Sequence, residues 1–401
     1  MADINKLRVN GTDYDVEDVT ARAGLSAIAG KIDKSVQAEK TADMIMPVGI
    51  DADGKLWTLP GGNYRWADIR DFVRYGHGEV MFPVGAQFTT SHTAWGDITW
   101  DVVGHDIYKN PNDPNAHTMT LLAHYVGKDA IQFDSEEAMY YAASILSAGA
   151  YTFKQGSTSY YFTLAHDVPA GGQIAINSTP NAFTVYGSVG STTSIETGSV
   201  STTSISGATD LGTLGSGELN HWDRITSGSN NYKESAIRQF LNSSKAAGSV
   251  WTPQTHFDRP PSWASNKAGF MAGLPADFLA VVGEVDVKCK TNQIYEAPDS
   301  TTSVNSTYTV RDKFYLASQK ELYGSEDTPA DGSVLFPYYD GGTNVDKIKY
   351  SMTSHATSAI WWTRAPSWYE AGRGRAVYFS GVLDRNNASS SWGVVPACTI
   401  Y

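Results

Sequence analysis

The sequence predicts an α+β protein in which strands outnumber helices. The chain has 401 residues, of which 22 are Tyr, 11 are Trp and 14 are Phe. Aromatic residues favour strands, so this composition is more typical of a β-rich protein than of a helical bundle. Short runs of alternating apolar and polar residues recur along the chain, and segments with helical periodicity lie between them. The length allows two or three domains and a sizeable core.

Charge and cysteine content argue against several classes of protein. The net charge is −12, from 30 Lys and Arg against 42 Asp and Glu. Nucleic acids and anionic membranes attract basic surfaces, so we expect neither as a partner. The two cysteines, Cys289 and Cys398, exclude a disulfide framework but leave a single bridge open. We expect no signal peptide and no membrane insertion, because no basic region precedes an apolar run at the N-terminus and no stretch has the apolar length of a membrane span.

Residues 1–47 are predicted to form a separate N-terminal segment. Residues 6–16 predict a hairpin with an Asn-Gly turn. Residues 18–38 have helical spacing, but their apolar stripe is too thin to stabilise a lone helix, so we expect it to pack against copies of itself. The alternative is a frayed tail with a modest helix. Residues 48–63 form a connector rich in turn residues. The stripe consists of Val19, Ala23, Ile28, Ile32 and Val36.

The globular part is expected to begin at residue 64 and to mix helices with strands. Helices are predicted at residues 64–75, 134–147, 231–245 and 277–282. Strands are predicted at residues 80–90, 98–106, 285–290, 307–311 and 314–317, with the third and fourth paired. The second helix is the clearest early one, because Asp134 or Ser135 can cap it and two glutamates follow in its first turn.

Two further helix starts have the pattern of a capping box. Asn231 and Glu234 have this spacing at the start of the third predicted helix, and Ser318 and Glu321 have it before a short helix. In such a box the first side chain accepts a bond from the backbone of the second residue, and the acidic side chain accepts one in return. We therefore expect both positions to begin helices.

Residues 150–217 differ sharply in composition from their surroundings. The pentapeptide Ser-Thr-Thr-Ser-Ile occurs at residues 191–195 and again at 201–205, in a stretch dominated by Ser, Thr and Gly. The ten-residue offset is typical of successive strands in a small meander, so we predict a β-sheet insertion. A disordered Ser/Thr linker is the alternative. Three strands are predicted before the repeat, at residues 160–164, 173–176 and 182–186.

The sequence contains few features of an enzyme or a metal site. It lacks a Gly-rich phosphate loop, a Gly-x-Ser-x-Gly elbow and a His-Glu-x-x-His motif. Histidines and aspartates are interspersed between residues 92 and 124, but no histidine pair has the spacing that places two imidazoles on one helical face. We predict no catalytic residue, no metal site and no cofactor, and expect these histidines to bond to loops and strands. They are His92, His105, His117 and His124.

The last forty residues combine two apolar ends with a polar middle. Residues 361–366 read Trp-Trp-Thr-Arg-Ala-Pro and residues 393–397 read Gly-Val-Val-Pro-Ala, which predicts buried framework at both ends. Residues 377–379 and 381–383 predict two short strands around a turn, and residues 384–391 offer almost nothing apolar to bury. Tyr, Trp, Arg, Ser and Asn on a rigid framework are typical of an antibody-like binding surface.

These C-terminal motifs resemble the C-type-lectin-type fold. The version meant is shared by formylglycine-generating-enzyme-like domains and by the variable proteins of diversity-generating retroelements, and the chain is similar in particular to phage and prophage tail proteins with this domain. The resemblance covers most of the chain after about residue 65. It implies a ligand-binding domain over residues 64–401, with the β-rich insertion at 150–217 and a variable region at 364–397. Residues 14–22 resemble the N-terminal attachment segments of phage tail fibres, which are commonly trimeric.

The resemblance implies a phage tail-tip receptor-binding protein, or adhesin, that is not an enzyme. It would bind a bacterial surface protein or glycan and join phage tail or baseplate proteins through its N-terminus. Its location would be the virion, after synthesis from a phage or prophage gene in the bacterial cytoplasm. An enzyme of the formylglycine-generating type is one alternative, but those enzymes use two nearby cysteines close to the C-terminus, and Cys289 lies far from Cys398. A structural virion or surface protein without a specific ligand is the other.

The resemblance also implies which residues contact the ligand, because diversification changes AAY codons and these never become Trp, Glu, Lys, Gln or Met. Trp368, Glu370 and Trp392 are excluded by this rule. The expected ligand-binding residues are Tyr369, Arg373, Arg375, Tyr378, Ser380, Asp384, Arg385, Asn386, Asn387, Ser389, Ser390 and Ser391. The two tyrosines are the expected anchors, and the arginines would make planar, charge-assisted contacts. A solvated polar loop is the alternative. The expected scaffold residues are Trp361, Trp362, Arg364, Gly381, Gly393 and Pro396.

We expect the chain to form a homo-oligomer, most simply a trimer, through the apolar stripe of residues 18–38. Light scattering should give about three times the chain mass for the full chain, and one chain mass for a truncated chain that starts at Tyr64. A full-length monomer at micromolar concentration would contradict the attachment role of this segment.

Overall fold

The computed structural model describes residues 6–9, 12–15, 65–293, 304–327, 330–368 and 370–401. Within these ranges the chain is α+β and rich in strands, as the sequence predicts. Residues 6–9 and 12–15 form the two strands of the predicted N-terminal hairpin, with Lys6 opposite Asp15. The predicted helix at 18–38 and the connector at 48–63 lie outside the described residues.

Helices are short and strands are numerous. The helices are α1 (Trp66–Phe72), α2 (Gly78–Met81), α3 (Trp222–Ser227), α4 (Ala236–Leu241), α5 (Ala276–Leu279) and α6 (Gln319–Tyr323), with a π-helical turn at Val73–His77 and 3-10 turns at Phe270–Gly273, Pro337–Tyr339 and Asn344–Lys347. The strands are β1 (Lys6–Val9), β2 (Thr12–Asp15), β3 (Gln87–His92), β4 (Gly96–His105), β5 (Met119–Ala123), β6 (Ala130–Gln132), β7 (Tyr140–Tyr141), β8 (Gly149–Gln155), β9 (Thr158–Leu164), β10 (Gln173–Ile176), β11 (Ala182–Tyr186), β12 (Ser194–Ser199), β13 (Thr209–Thr213), β14 (Val282–Gly283), β15 (Val285–Gln293), β16 (Val304–Asp312), β17 (Phe314–Leu316), β18 (Lys349–Tyr350), β19 (Ser358–Ala359), β20 (Trp361–Pro366), β21 (Arg373–Val377), β22 (Leu383–Asn387), β23 (Ser391–Gly393) and β24 (Pro396–Ile400).

The central sheet is built around β24, close to the end of the chain. Its order is β14-β24-β5-β4-β3, and β17 also pairs with β24. Every residue of β24 and of β5 is buried, which is typical of strands covered on both faces. Ala397 lies opposite Leu122, and Cys398 lies opposite Phe314. The core therefore joins strands from the beginning and the end of the globular part.

A second sheet has the order β22-β21-β20-β23-β6, with the Trp-Trp-Thr-Arg-Ala-Pro strand β20 at its centre. All six residues of β20 are buried. The Trp362 ring packs 5.5 Å from the ring of Phe133, measured between centroids, and its indole N–H donates to the Ile131 carbonyl at 3.0 Å. The indole N–H of Trp361 donates to the Lys347 carbonyl at 3.4 Å. Both indoles are thus buried with their donors satisfied, as buried tryptophans require.

Residues 139–225 contain a second apolar cluster, formed by two smaller sheets with the orders β12-β11-β10-β7 and β13-β8-β9. The three strands predicted before the pentapeptide repeat are confirmed as β9, β10 and β11. The first pentapeptide leads into β12. The second contributes a single bridge, between Ser201 and Tyr161, so the prediction of a second successive strand is wrong. The cluster is centred on aromatic residues that include Phe153, Phe162 and Phe183.

The predicted helix at 134–147 is wrong. This segment is irregular and contains no helical residue, and the two-residue strand β7 lies within it. The Glu137 carboxylate is buried and accepts bonds from Arg224 at 2.6 Å and from Asn220 at 2.7 Å. The backbone N–H of Met139 donates to the Ile174 carbonyl. At the start of a helix, these acidic side chains and backbone N–H groups would bond to one another locally. Here they bond to residues that are distant in sequence, so tertiary contacts override the local capping signal.

Two other predictions fail in part. The predicted strand at 80–90 begins as helix α2 and becomes strand only at Gln87. The helix at 231–245 is reduced to α4, and its cap is Ser235, whose hydroxyl accepts from the Arg238 backbone. Asn231 instead accepts a bond from the Tyr308 hydroxyl at 2.8 Å. The remaining predicted elements are confirmed in existence and type, and they are α1, β4, α5, the pair β15 and β16, β17, and α6 with its capping box.

A buried ion pair joins the second sheet to α6. The Arg364 guanidinium donates to both carboxylate oxygens of Glu321 at 2.7 Å, and each side chain is 1% exposed. Arg364 also donates to the carbonyls of Leu316 at 2.6 Å and Lys288 at 2.8 Å. The Glu321 carboxylate closes the capping box by accepting from the Ser318 backbone at 2.8 Å. One side chain of β20 therefore contacts β15, β17 and α6.

Replacing Trp361 or Trp362 by Ala should lower the free energy of unfolding by about 3–5 kcal/mol, because each leaves a large cavity in the core. Urea unfolding of the full chain measures this change. The matched control is Phe379→Ala, because Phe379 is 59% exposed and its loss should change stability by no more than about 0.5 kcal/mol. Unchanged unfolding midpoints for both tryptophan variants would contradict the packing of β20.

Candidate functional site

The predicted ligand-binding surface is organised by the hairpin of β21 and β22. The two strands are antiparallel, and the last paired residues before the turn are Val377 and Leu383. Residues 378–382 form the turn, in which the Tyr378 N–H donates to the Val382 carbonyl at 2.9 Å. The prediction that short strands lie at 377–379 and 381–383 is therefore displaced, because these residues form the turn and its edges.

Three arginines share one face of this hairpin. Residues directly opposite each other in an antiparallel pair point to the same side of the sheet. Arg375 lies opposite Arg385, and Arg373 lies opposite Asn387. On β21 the opposite face is buried: Gly374 and Ala376 are covered, and a Cβ on Gly374 would lie 3.3 Å from the ring of Trp362. These three arginines and Asn387 are called the arginine face below. The opposite side of β21 packs against the core residue Trp362.

Carboxylates hold the arginine face in place. Arg373 and Arg385 lie 3.4 Å and 3.0 Å from the two carboxylate oxygens of Glu370. Arg375 lies 2.8 Å from the Asp327 carboxylate. The side chains of Arg373, Arg375 and Arg385 are 37%, 17% and 41% exposed. The more exposed pairs, those of Arg373 and Arg385, contribute about 0–1 kcal/mol each, so a ligand can replace them at small cost.

The other predicted ligand-binding residues do not lie on that face. Asp384 and Asn386 alternate with its residues along β22, and the Asn386 amide donates to the Tyr378 hydroxyl at 2.7 Å. Ser380 is exposed at the turn between the two strands. Ser389, Ser390 and Ser391 are half-buried or exposed after β22 and lead into β23. Tyr369, one of the two expected anchors, lies outside the described residues.

All six predicted scaffold residues are buried, namely Trp361, Trp362, Arg364, Gly381, Gly393 and Pro396. Gly381 has φ +75°, a left-handed conformation that favours glycine, and a Cβ there would collide with the Asn344 carbonyl. Its own carbonyl accepts a bond from the Tyr323 hydroxyl at 2.7 Å. A Cβ on Gly393 would collide with Val126. The turn is therefore clamped on the 3-10 segment that contains Asn344.

Sequence reasoning missed the apolar residues of the turn. Phe379 is 59% exposed and Val382 is 46% exposed. Val345, which is 68% exposed, follows the Asn344 that contacts the turn. The AAY rule permits Phe, so it could have identified Phe379 as a surface residue. The sequence instead predicted a strand at 377–379, which gave no reason to expect Phe379 to be exposed. The carboxylates Glu370 and Asp327 were missed because their pairing depends on the hairpin register.

The thiols are not placed for chemistry. Cys289 and Cys398 are both free and buried, so the single bridge left open by the sequence is not formed. Burial raises the pKa of Cys289 to about 12, and burial also raises the pKa of Cys398 well above its usual value. The reactive form of cysteine is the thiolate, which burial disfavours here. Cys398 acts as a small apolar residue of the central sheet.

The clustered histidines have structural partners. His92 lies 2.9 Å from the Phe270 carbonyl and His105 lies 2.9 Å from the Phe82 carbonyl. His117 and His124 lie 2.7 Å and 2.9 Å from aspartate carboxylates. Across the described ranges, no group of three or more His, Cys, Asp or Glu side chains is arranged to hold a metal ion. In the same part of the chain, no helix is both long enough and apolar enough to cross a bilayer.

Residues 200–401 match the family model described as domain of unknown function DUF6273. The chain belongs to this family. No curated protein matches the chain, and no solved structure does. The DUF6273 region includes the hairpin and β24, whereas β3, β4 and β5 lie before it. Because β24 pairs with β5, the central sheet combines strands from the DUF6273 region with strands that precede it.

Arg385 and Arg364 form a matched test of which arginines maintain the fold. We expect Arg385→Ala to change the free energy of unfolding by less than about 1 kcal/mol, because its ion pair is partly exposed. We expect Arg364→Ala to cost about 3–5 kcal/mol, because it leaves a buried carboxylate without its partner. Chemical denaturation measures both. Equal losses for the two variants would contradict the division into a surface and a scaffold.

Proposed function

We propose that this protein is a phage or prophage tail-tip adhesin that binds a bacterial surface protein or glycan through the β21–β22 hairpin. The observation that carries the proposal is the arginine face. Arg373 and Arg385 are partly exposed and weakly paired, yet β20, which lies beside β21 in the same sheet, is entirely buried. A rigid base with adaptable polar side chains is the arrangement that binding surfaces use.

The chemistry of this face favours an acidic ligand group. Each guanidinium presents a planar set of donors that matches a carboxylate, and Glu370 and Asp327 already occupy that role in the free protein. A ligand carboxylate, or another acidic group of a surface protein or glycan, would replace them. The pre-existing pairs already restrict the arginine side chains, so binding costs less ordering of them.

We infer that the hairpin belongs to a C-type-lectin-type domain that the N-terminal segment attaches, as a homotrimer, to phage tail or baseplate proteins. The buried Trp-Trp strand, the glycine-clamped turn and the closing strand β24 support the fold proposal. This reading places the protein in the virion, with the exposed hairpin tip available to the host surface. The formylglycine-generating alternative is disfavoured by the buried thiols, whose raised pKa values oppose thiolate formation.

Binding of labelled full-length protein to a panel of bacterial isolates, followed by flow cytometry, tests the proposal. Where the protein binds, Tyr378→Ala and Arg385→Ala should each weaken binding by about 2 kcal/mol, or roughly thirtyfold, with a nearly unchanged melting temperature. Tyr369→Ala is expected to behave in the same way. Arg65→Ala is the matched control, because Arg65 forms an exposed pair with Asp68 on α1.

Full binding after the predicted set from Tyr369 to Ser391 is changed to Ala or Ser would place the binding surface elsewhere. The strands of residues 150–217 would then be the next surface to test. The diversification part of the proposal has a separate test in the neighbouring DNA. It requires a reverse transcriptase gene and a near-copy of the region that encodes residues 364–397.

A further inference from the structure

A cavity of about 390 Å³ lies beside the buried Arg364–Glu321 pair and is lined by no residue of the β21–β22 hairpin. Its walls are the loop at residues 107–114, one face of the β15–β16 ribbon and the loop at residues 332–334. This volume is within the range of small-molecule sites, which is about 300–1,000 Å³. None of its residues is among the predicted ligand-binding set, so any ligand here is separate from the hairpin.

The ribbon wall carries charge because of strand alternation. The buried residues of β15, including Val285 and Val287, point into the core. Asp286 and Lys288 point the other way and are exposed, and Arg311 lies directly opposite Asp286 on β16. These three charged side chains therefore project from the same face of the ribbon into the cavity.

One positive charge of this cavity is left without a carboxylate. Arg311 lies 3.0 Å from Asp286, and Lys109 lies 3.9 Å from Asp106. The ammonium of Lys288 has one polar contact in the described part of the chain, a distance of 3.5 Å to the Thr309 hydroxyl. The Lys288 ammonium can therefore pair with a single ligand carboxylate, whereas the nearby Asp286 would repel a second negative charge on the ligand.

The floor and the remaining wall are suited to an organic molecule. The floor contains Tyr108 and Glu321, whose carboxylate is already satisfied by Arg364 and by the Tyr108 hydroxyl. It therefore presents no free negative charge to repel an anion. Pro111, Pro114 and Val334 form an apolar side on which a ring can pack.

We propose that this cavity binds a carboxylate-bearing molecule about the size of a monosaccharide, such as a uronic acid, with the carboxylate on Lys288. The apolar side contacts the ring, and the paired Arg311 supplies further donors near the ligand. The same chemistry is presented by a free sugar acid and by the terminal sugar of an acidic glycan. The site does not depend on the adhesin proposal, because it uses no residue of the hairpin.

Isothermal titration and ligand-observed NMR with full-length protein test this site, with glucuronate as the probe and glucose as its uncharged match. We expect glucuronate to bind at least about tenfold more tightly than glucose, because a charge-assisted bond to an ammonium is lost with the carboxylate. Lys288→Gln should weaken glucuronate binding by about the same factor. Lys245→Gln, a change at an exposed lysine outside the cavity, should leave glucuronate binding unchanged.

A trisaccharide that ends in glucuronate distinguishes a free sugar acid from a glycan as the ligand. Binding of both the trisaccharide and glucuronate indicates a glycan site. Binding of glucuronate alone indicates a site for the free acid.

Absence of glucuronate binding at millimolar concentration would overturn the proposal, as would equal binding of glucose. Unchanged affinity in Lys288→Gln would also overturn it. Retention of the wild-type melting temperature in Lys288→Gln is the check that the variant is folded. Hairpin variants that lose cell binding but keep their glucuronate affinity would show that the two sites act separately. That result would bear on the adhesin proposal and would not contradict the cavity proposal.

Discussion

The buried contact between Arg364 and Glu321 is the constraint on which the rest of the structure depends. A guanidinium and a carboxylate that are each 1% exposed are stable only when nearly all their donors and acceptors are satisfied. Here the satisfaction comes from five places: the carbonyls of Leu316 and Lys288, the Ser318 backbone, and the hydroxyls of Tyr108 and Ser333. Strands β15, β17 and β20, helix α6 and the loop at 107–114 must therefore meet at one point. Such a network specifies a single arrangement of these elements, whatever its net contribution to stability.

This constraint separates the two candidate binding regions. The hairpin is attached to β20 on one edge, with its buried face against Trp362 and its turn held by Gly381 and Tyr323. The cavity borders the ion pair and uses the outer face of the β15–β16 ribbon. Both take their rigidity from the same strand, but they share no ligand-contacting residue. A protein built in this way can change the side chains at one region without altering the geometry of the other.

Strand-rich regions could be predicted from the sequence because alternation and β-branched runs are local signals. The capping box at Ser318 could be predicted for the same reason, since its partners are three residues apart. The conformation of residues 134–147 could not be predicted from the sequence, because Glu137 is bonded to Arg224 and Asn220, more than eighty residues later. For the site, the relevant residue types could be identified. The common face of Arg373, Arg375 and Arg385 could not, because it depends on where the turn lies, and a shift of one residue reverses the faces of a strand.

The position of β24 near the end of the chain also affects how the central sheet forms during synthesis. Thr120 on β5 and its neighbour Thr399 on β24 are 279 residues apart in sequence. During synthesis, β5 emerges long before the strand that completes its side of the sheet, and its apolar residues and open edge stay without that partner until β24 is translated. Nascent chains in this state are prone to wrong pairing, and N-terminal fragments of any length short of β24 have an unfinished central sheet. We therefore expect slow growth, low temperature or abundant chaperones to raise the yield of folded protein in a cell. Each of these conditions protects the incomplete sheet until β24 is available to pair.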